Sequence, residues 1–295
     1  MLLQQENDHT DTSHHTNVYA PVNADKAGQT RQPALALHVG AHLDPGIRRK
    51  HRPNEDTVLV TYGVMPPASP STPPKPFVLL VVADGMGGQG HGQEASQLAA
   101  RSLVEYVSGT FDSQQRPPEN VLPLLSAGVQ YANRVVYERN QEQQTAMGTT
   151  MTVALVIETT AYIAHVGDSR LYLYRSPTGL TQLTHDHSVV AVLVEEGLIA
   201  PEDIYTHPRR NQIYRALGVE ATVEVDTCTV PLAAGDILLL CSDGLWEMVR
   251  DQQIAAILTA PMPTPTDTAH TLIQAALAGG GEDNVSAIVA RVSNV

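Results

Sequence analysis

Positive charge is scarce in this chain: 18 Lys and Arg stand against 31 Asp and Glu, a formal net charge of −13. That shortage argues against a long nucleic-acid track or an anionic membrane surface, since both need clustered Lys and Arg. A phosphate on a smaller substrate stays within reach of a local arginine group. Cysteine is nearly missing, with Cys228 and Cys241 alone. Two thiols in 295 residues make no disulfide framework, and no CxxC or Cys/His spacing suggests zinc. Aromatics are only 4%, so a core must be built from Val, Leu, Ile and Ala. No apolar run approaches the roughly 20 residues of a membrane helix. The Met1-Leu2-Leu3 start runs straight into QQENDHTDTSHH, with neither a basic nor an apolar leader region. These absences predict a soluble, cytoplasmic protein with no nucleic-acid or membrane partner.

What is present falls into blocks. Residues 1–33 are polar and aperiodic, which predicts a disordered tail; His9, His14 and His15 belong to it. MPPASPSTPPKP (65–76) is Pro-rich and reads as loop, and PMPTPTDT (261–268) separates two helical patterns. Alternating or continuous apolar runs predict strands at 34–40, 57–61, 77–83, 149–157, 161–166, 170–175, 221–230, 236–241 and 285–292. Helical spacing predicts helices over about 94–109, 120–140, 251–259 and 267–278, with a mixed stretch at 188–204. Strands in blocks with paired helices between them argue for α+β layering on antiparallel sheets.

Five aspartates sit at strand ends: Asp56, Asp84, Asp168, Asp243 and Asp283. Each alone reads as a turn former, because Asp-Gly is a common turn dipeptide. Together they mean more. If 57–61 and 77–83 pair antiparallel, Asp56 and Asp84 share one edge, opposite the Pro-rich loop. If 236–241 and 285–292 do likewise, Asp243 and Asp283 share an edge too. Carboxylates about 5 Å apart repel by roughly 3 kcal/mol per pair at an effective dielectric of 20. Convergence therefore demands cations, and a donor set of carboxylates, carbonyls and water suits Mg²⁺ or Mn²⁺. A glycine after Asp84 would let backbone approach such an ion.

The motifs PNEDTVLV, VVADGMGG with the downstream EAS, MGTTMTVALV, AHVGDSRLYLYR, LTHDHS, EEGLIAPEDIYTHPRRNQIYRALG, LLLCSDGLWEMV and GGGEDNVSAIV occur in that order. They resemble the PPM family of metal-dependent protein serine/threonine phosphatases, protein phosphatase type 2C, of the bacterial single-domain type. The resemblance covers residues 34–295. It implies a four-layer α-β-β-α sandwich of two antiparallel sheets flanked by helix pairs, with a flap near 188–217. It also implies two core Mn²⁺ or Mg²⁺ ions and a third, looser one. By resemblance Asp84 bridges the two core ions, Gly85 lends a carbonyl, and Asp243 and Asp283 complete the first site. Asp56 and Glu55 would hold metal-bound waters, and Asp168 would bind the third ion. A hydroxide shared by two ions would attack the phosphorus of phosphoserine or phosphothreonine directly. The implied partner is a phosphorylated protein, with the enzyme opposing a serine/threonine kinase.

The sequence departs from that family in two places. Between Gly46 and Asn54 the stretch GIRRKHRPN is longer than the family's GxxRxxNED spacing, so Arg48, Arg49 and Arg52 are all candidates to hold phosphate. Arg49, three residues after the glycine, is favoured. Met86 stands where eukaryotic members have a candidate proton-donating histidine, and His91 is offset from that position, so His91 reads as dispensable. His185 and His187 read as local hydrogen-bonding groups rather than a metal pair. Two other readings remain: a general small-molecule phosphoesterase, and a non-catalytic binding protein on the same fold.

Overall fold

The computed structural model describes residues 35–295 except positions 68, 70 and 114–119. The expected polar tail lies outside the described residues. In chain order the strands and helices are β1 (Leu35–Asp44), β2 (Asp56–Met65), β3 (Lys75–Met86), α1 (His91–Ser113), α2 (Val121–Gln143), β4 (Gly148–Thr149), β5 (Met151–Ile157) and β6 (Thr160–Val166). They continue with β7 (Arg170–Arg175), β8 (Gly179–Gln182), α3 (Val189–Glu195), β9 (Asp226–Pro231), β10 (Ile237–Cys241), α4 (Asp243–Trp246), α5 (Asp251–Thr259), α6 (Pro265–Ala278) and β11 (Val285–Asn294). One sheet runs β1-β11-β10-β7-β8 and the other β2-β3-β5-β6-β9, with β4 paired to β3. Neighbouring strands are antiparallel throughout.

The unbroken apolar run FVLLVV follows from burial on both faces of its sheet. In β3, Leu80 and Val82 meet Leu171, Leu238, Leu240 and Ile288 between the two sheets. Their neighbours Leu79 and Val81 point the other way, onto Leu103, Leu125 and Val129 of α1 and α2. On the far side Ile254, Leu272 and Ile273 of α5 and α6 cover Leu239, Ala287 and Val289. The result is the expected order of helices, sheet, sheet, helices.

Capping sets several element ends. Asn120 caps α2 by accepting from the Leu122 N–H at 3.2 Å. Thr264 and Asp267 form a capping box at α6 with Pro265 in the first turn, so the helix begins inside PMPTPTDT. Other boundaries differ from the sequence reading. The expected strand 221–230 begins only at Asp226, and 149–157 breaks at Thr150. The Pro-rich stretch contributes Met65 to β2 and Lys75-Pro76 to β3. His91 opens α1, ahead of the expected helix start at about 94. Strand β8 had no alternation long enough to signal it. Among the described residues no helix is long and apolar enough to cross a membrane.

Leu240 is 0% exposed between the sheets, and truncating it leaves a cavity that both sheets must span. Leu240→Ala should lower unfolding stability by about 2–5 kcal/mol, read from a urea titration. A loss below about 1 kcal/mol would contradict this packing.

Candidate active site

Register brings the aspartates to one edge of the sandwich. Asp56 opens β2 directly opposite Asp84 of β3, at the end away from the Pro-rich connection. Cys241 pairs with Ala287, so Asp243, just past β10, and Asp283, just before β11, leave their sheet at the same end. Asp168 lies in the turn from β6 to β7, which crosses from one sheet to the other. Its carbonyl accepts the Trp246 indole N–H at 3.0 Å. The Asp84 carboxyl is pushed well above the ordinary range, by burial and then by the charges of Asp56, Asp243, Asp283 and Asp168. The structure thus brings all five together.

Backbone chemistry fixes Asp84. Its N–H donates to Thr150 Oγ1 at 2.9 Å, and its carbonyl accepts from Thr149 Oγ1 at 2.9 Å and from the Thr150 N–H at 2.8 Å. The next residue must be glycine: a Cβ on Gly85 would fall 2.0 Å from the Gly92 carbonyl oxygen. The Gly85 N–H donates to the Glu55 carbonyl at 3.1 Å, which Ser96 Oγ also reaches at 2.6 Å. This is why EAS follows ADGMGG at its spacing.

Asp56 Oδ2 accepts from Ser242 Oγ at 2.7 Å and Ser286 Oγ at 2.6 Å. Burial nevertheless pushes its carboxyl up to about 7, against those hydroxyls and with help from Asp243 and Asp283. Asp243 is pushed up to about 6 by burial and Asp283, opposed by a hydrogen bond with Asp84. Asp168 rises by burial and then by Asp243. Oδ1 of Asp56 and Oδ1 of Asp243 are buried without any hydrogen-bond partner. Such acceptors are costly unless a cation meets them. Among the described residues no three His, Cys, Asp or Glu side chains are placed to hold a metal ion by themselves. An ion here must complete its shell with water and backbone carbonyl, the habit of Mg²⁺ and Mn²⁺. The residues therefore fit the hard divalent ions that their chemistry calls for.

The three candidate arginines separate. Arg49 Nη1 lies 2.7 Å from Asp283 and 3.4 Å from Glu55, inside the centre. The Glu55 carboxyl is raised by burial, with Arg49 pulling the other way. Arg48 instead pairs with Glu282 at 3.2 Å, its side chain 68% exposed. Arg52 is exposed, though its charge reaches Glu55. The loop is held by Asn284, which accepts from the Glu55 N–H and donates to the Pro45 carbonyl, each at 2.9 Å.

Glu247, Arg170 and Trp246 escaped the sequence reading. Glu247 is pushed up to about 7 by burial and Asp243. Arg210 of the 188–217 segment reaches it at 3.4 Å and Glu282 at 3.1 Å. Arg170 is buried, holds Asp186 through Nη2 at 2.6 Å, and stacks 3.6 Å from the Trp246 ring centroid. The Arg in GDSR and the Trp in SDGLW were visible signals, but only their packing reveals that they brace Asp168. His187 accepts the Gly167 N–H at 2.9 Å and lies 3.2 Å from Asp226, so it cross-links the chain near that turn. His91 touches none of the five carboxylates by hydrogen bond.

The sequence pattern of the protein phosphatase 2C family matches residues 71–279. The serine/threonine phosphatase stp of Listeria monocytogenes is 40% identical over 213 residues, 72% of this chain and 83% of that protein. The serine/threonine protein phosphatase PstP of Mycobacterium tuberculosis is 41% identical over 261 residues, 88% of this chain and 45% of that protein. The PstP catalytic domain, solved in complex with two manganese ions, superposes with a TM-score of 0.72. It is 36% identical, over 88% of this chain and all of that one.

Ions that bind only the folded protein stabilise it by mass action. Adding Mn²⁺ to chelator-treated protein should raise the melting temperature by several degrees, and Asp84→Asn should remove most of that rise. An unchanged melting temperature in the unsubstituted protein would mean that the centre takes no ion.

Proposed function

The chain belongs to the protein phosphatase 2C family and is a metal-dependent protein serine/threonine phosphatase, and we propose that the edge carboxylates are its active site. The observation that carries this reading is Asp84, placed directly opposite Asp56 in the β2–β3 register and within reach of the charges of Asp243, Asp283 and Asp168. In it Asp84, Asp243 and Asp283 hold two core ions with the Gly85 carbonyl, Glu55 and Asp56 hold water around them, and Asp168 takes a third ion. Divalent ions bound there supply an acidified water and neutralise phosphoryl oxygens. Residues 34–295 form the phosphatase domain. A cytoplasmic location and opposition to a serine/threonine kinase belong to the same proposal.

The chain's own groups divide the remaining work. Arg49 is 31% exposed at the side chain, so one edge of its guanidinium can turn to the phosphoryl oxygens while Asp283 holds the other. Neither Cys241 nor Ser242, the thiol and hydroxyl beside Asp243, offers a nucleophile. Cys241 is 0% exposed and burial pushes its thiol far above the ordinary range. Ser242 Oγ already donates to Asp56 and accepts the Ser286 N–H at 3.0 Å. Direct attack by water is the route these groups leave open.

Phosphopeptide hydrolysis should vanish with EDTA and return with Mn²⁺; turnover that persists in EDTA refutes the reading. Arg49→Ala should lower kcat/KM about 10- to 100-fold, the cost of one charged hydrogen-bonding group. His91→Ala should keep most of the activity, and loss of it would restore His91 as proton donor. Faster cleavage of nucleotides than of phosphopeptides would favour the small-molecule phosphoesterase instead.

A further inference from the structure

Six of the 18 Lys and Arg of this acidic chain fall on two short segments: Arg48, Arg49, Lys50 and Arg52 before β2, and Arg209 and Arg210 in the flap. The two segments meet at Glu282. One of its carboxylate oxygens lies 3.2 Å from Arg48 and the other 3.1 Å from Arg210. Glu282 adjoins Asp283, which holds Arg49 at 2.7 Å. A third of the scarce positive charge is therefore gathered at the rim of the carboxylate centre.

The six do not share one role. Arg48, Arg49 and Arg210 are spent on Glu282, Asp283, Glu55 and Glu247. Lys50, Arg52 and Arg209 are exposed and form no ion pair with any described residue. Arg209 is held outward by a neutral partner, donating from Nε to Gln212 Oε1 at 2.8 Å. The loop before β2 is fixed in place. The Arg48 N–H donates to the Gly281 carbonyl at 3.1 Å, and a Cβ on Gly46 would fall 2.1 Å from the Asp283 carbonyl oxygen. Lys50 sits where the loop exceeds the family spacing. A solvated loop would explain exposed cations singly. It does not explain their concentration at one rim of a chain whose net charge is −13. Screening over about 8 Å at physiological salt makes a bound substrate sense this rim rather than the distant acidic surface.

We propose that these unpaired cations select phosphorylated segments that carry further negative charge beside the phosphorylated residue, as carboxylates or as a second phosphate. The selection rests on the phosphatase reading above and names its substrate class. Each exposed pair contributes little, on the order of a few-fold in affinity, so the preference is a sum over several contacts.

Binding to the Mn²⁺-loaded protein of peptides whose phosphates are replaced by non-hydrolysable phosphonates separates recognition from turnover. Fluorescence anisotropy would compare three such peptides of equal length, with neutral flanks, with glutamate flanks, and with a second phosphonate. The anionic peptides should bind about tenfold more tightly than the neutral one. Adding Lys50→Glu and Arg209→Glu should erase that preference and leave the neutral peptide's affinity unchanged. In the protein without those two changes, about 0.5 M salt should erase it as well. A preference confined to glutamate, or to the second phosphonate, supports the proposal and assigns the flank. Equal binding of all three, or a preference that survives both the charge reversals and salt, overturns it. If the preference holds but the unsubstituted enzyme hydrolyses none of the corresponding phosphopeptides, the phosphatase reading fails and the recognition stands.

Discussion

Repulsion among carboxylates gathered at one edge is the constraint around which the rest of this molecule is arranged. Five aspartates meet at one edge of the sandwich, and among the described residues one guanidinium pairs directly with them, Arg49 at 2.7 Å from Asp283. One cation cannot balance five carboxylates, so burial and the neighbouring carboxylates push Asp84 and Asp168 well above the ordinary range. Those upward shifts mark a site whose carboxylates call for divalent charge. The bare Oδ1 atoms of Asp56 and Asp243 express the same demand in hydrogen-bonding terms.

Holding such groups together requires a frame that cannot relax to separate them. Two sheets buried on both faces provide it, with Leu80 and Leu240 locked between them and helices packed outside. The edge is then stitched by short polar residues. Thr149 and Thr150 hold the Asp84 backbone, Ser242 and Ser286 hold the Asp56 carboxylate, and Asn284 ties Glu55 to the arginine loop. Gly85 and Gly92 allow a backbone approach that any side chain would block. Each of these positions is small because the space belongs to the charged groups.

The outer ring is built from charge of the opposite sign. Arg210 spans Glu247 and Glu282, tying the flap to the segments that carry Asp243 and Asp283. Trp246 supports Asp168 from below, stacked on Arg170, whose own charge is met by Asp186. An acidic protein thus places six of its 18 Lys and Arg on two segments beside its reaction centre.

The sequence by itself determined the layers and the edge. Apolar periodicity located β3, β10, β11, α5 and the helix pair near their observed bounds, because burial on one face or two leaves a direct mark on residue order. Antiparallel pairing of two hairpin-like blocks was enough to put Asp56 by Asp84 and Asp243 by Asp283. Boundaries such as Asp226 and the break at Thr150 were hidden, since they turn on which backbone groups find partners across the sheet. Tertiary structure alone decided among Arg48, Arg49 and Arg52, and it alone brought Glu247, Arg210 and Trp246 to the aspartates. Arg48 and Arg49 meet Glu282 and Asp283 across more than 200 residues of chain, and Trp246 meets Asp168 across 78; no local spacing encodes a meeting of that kind.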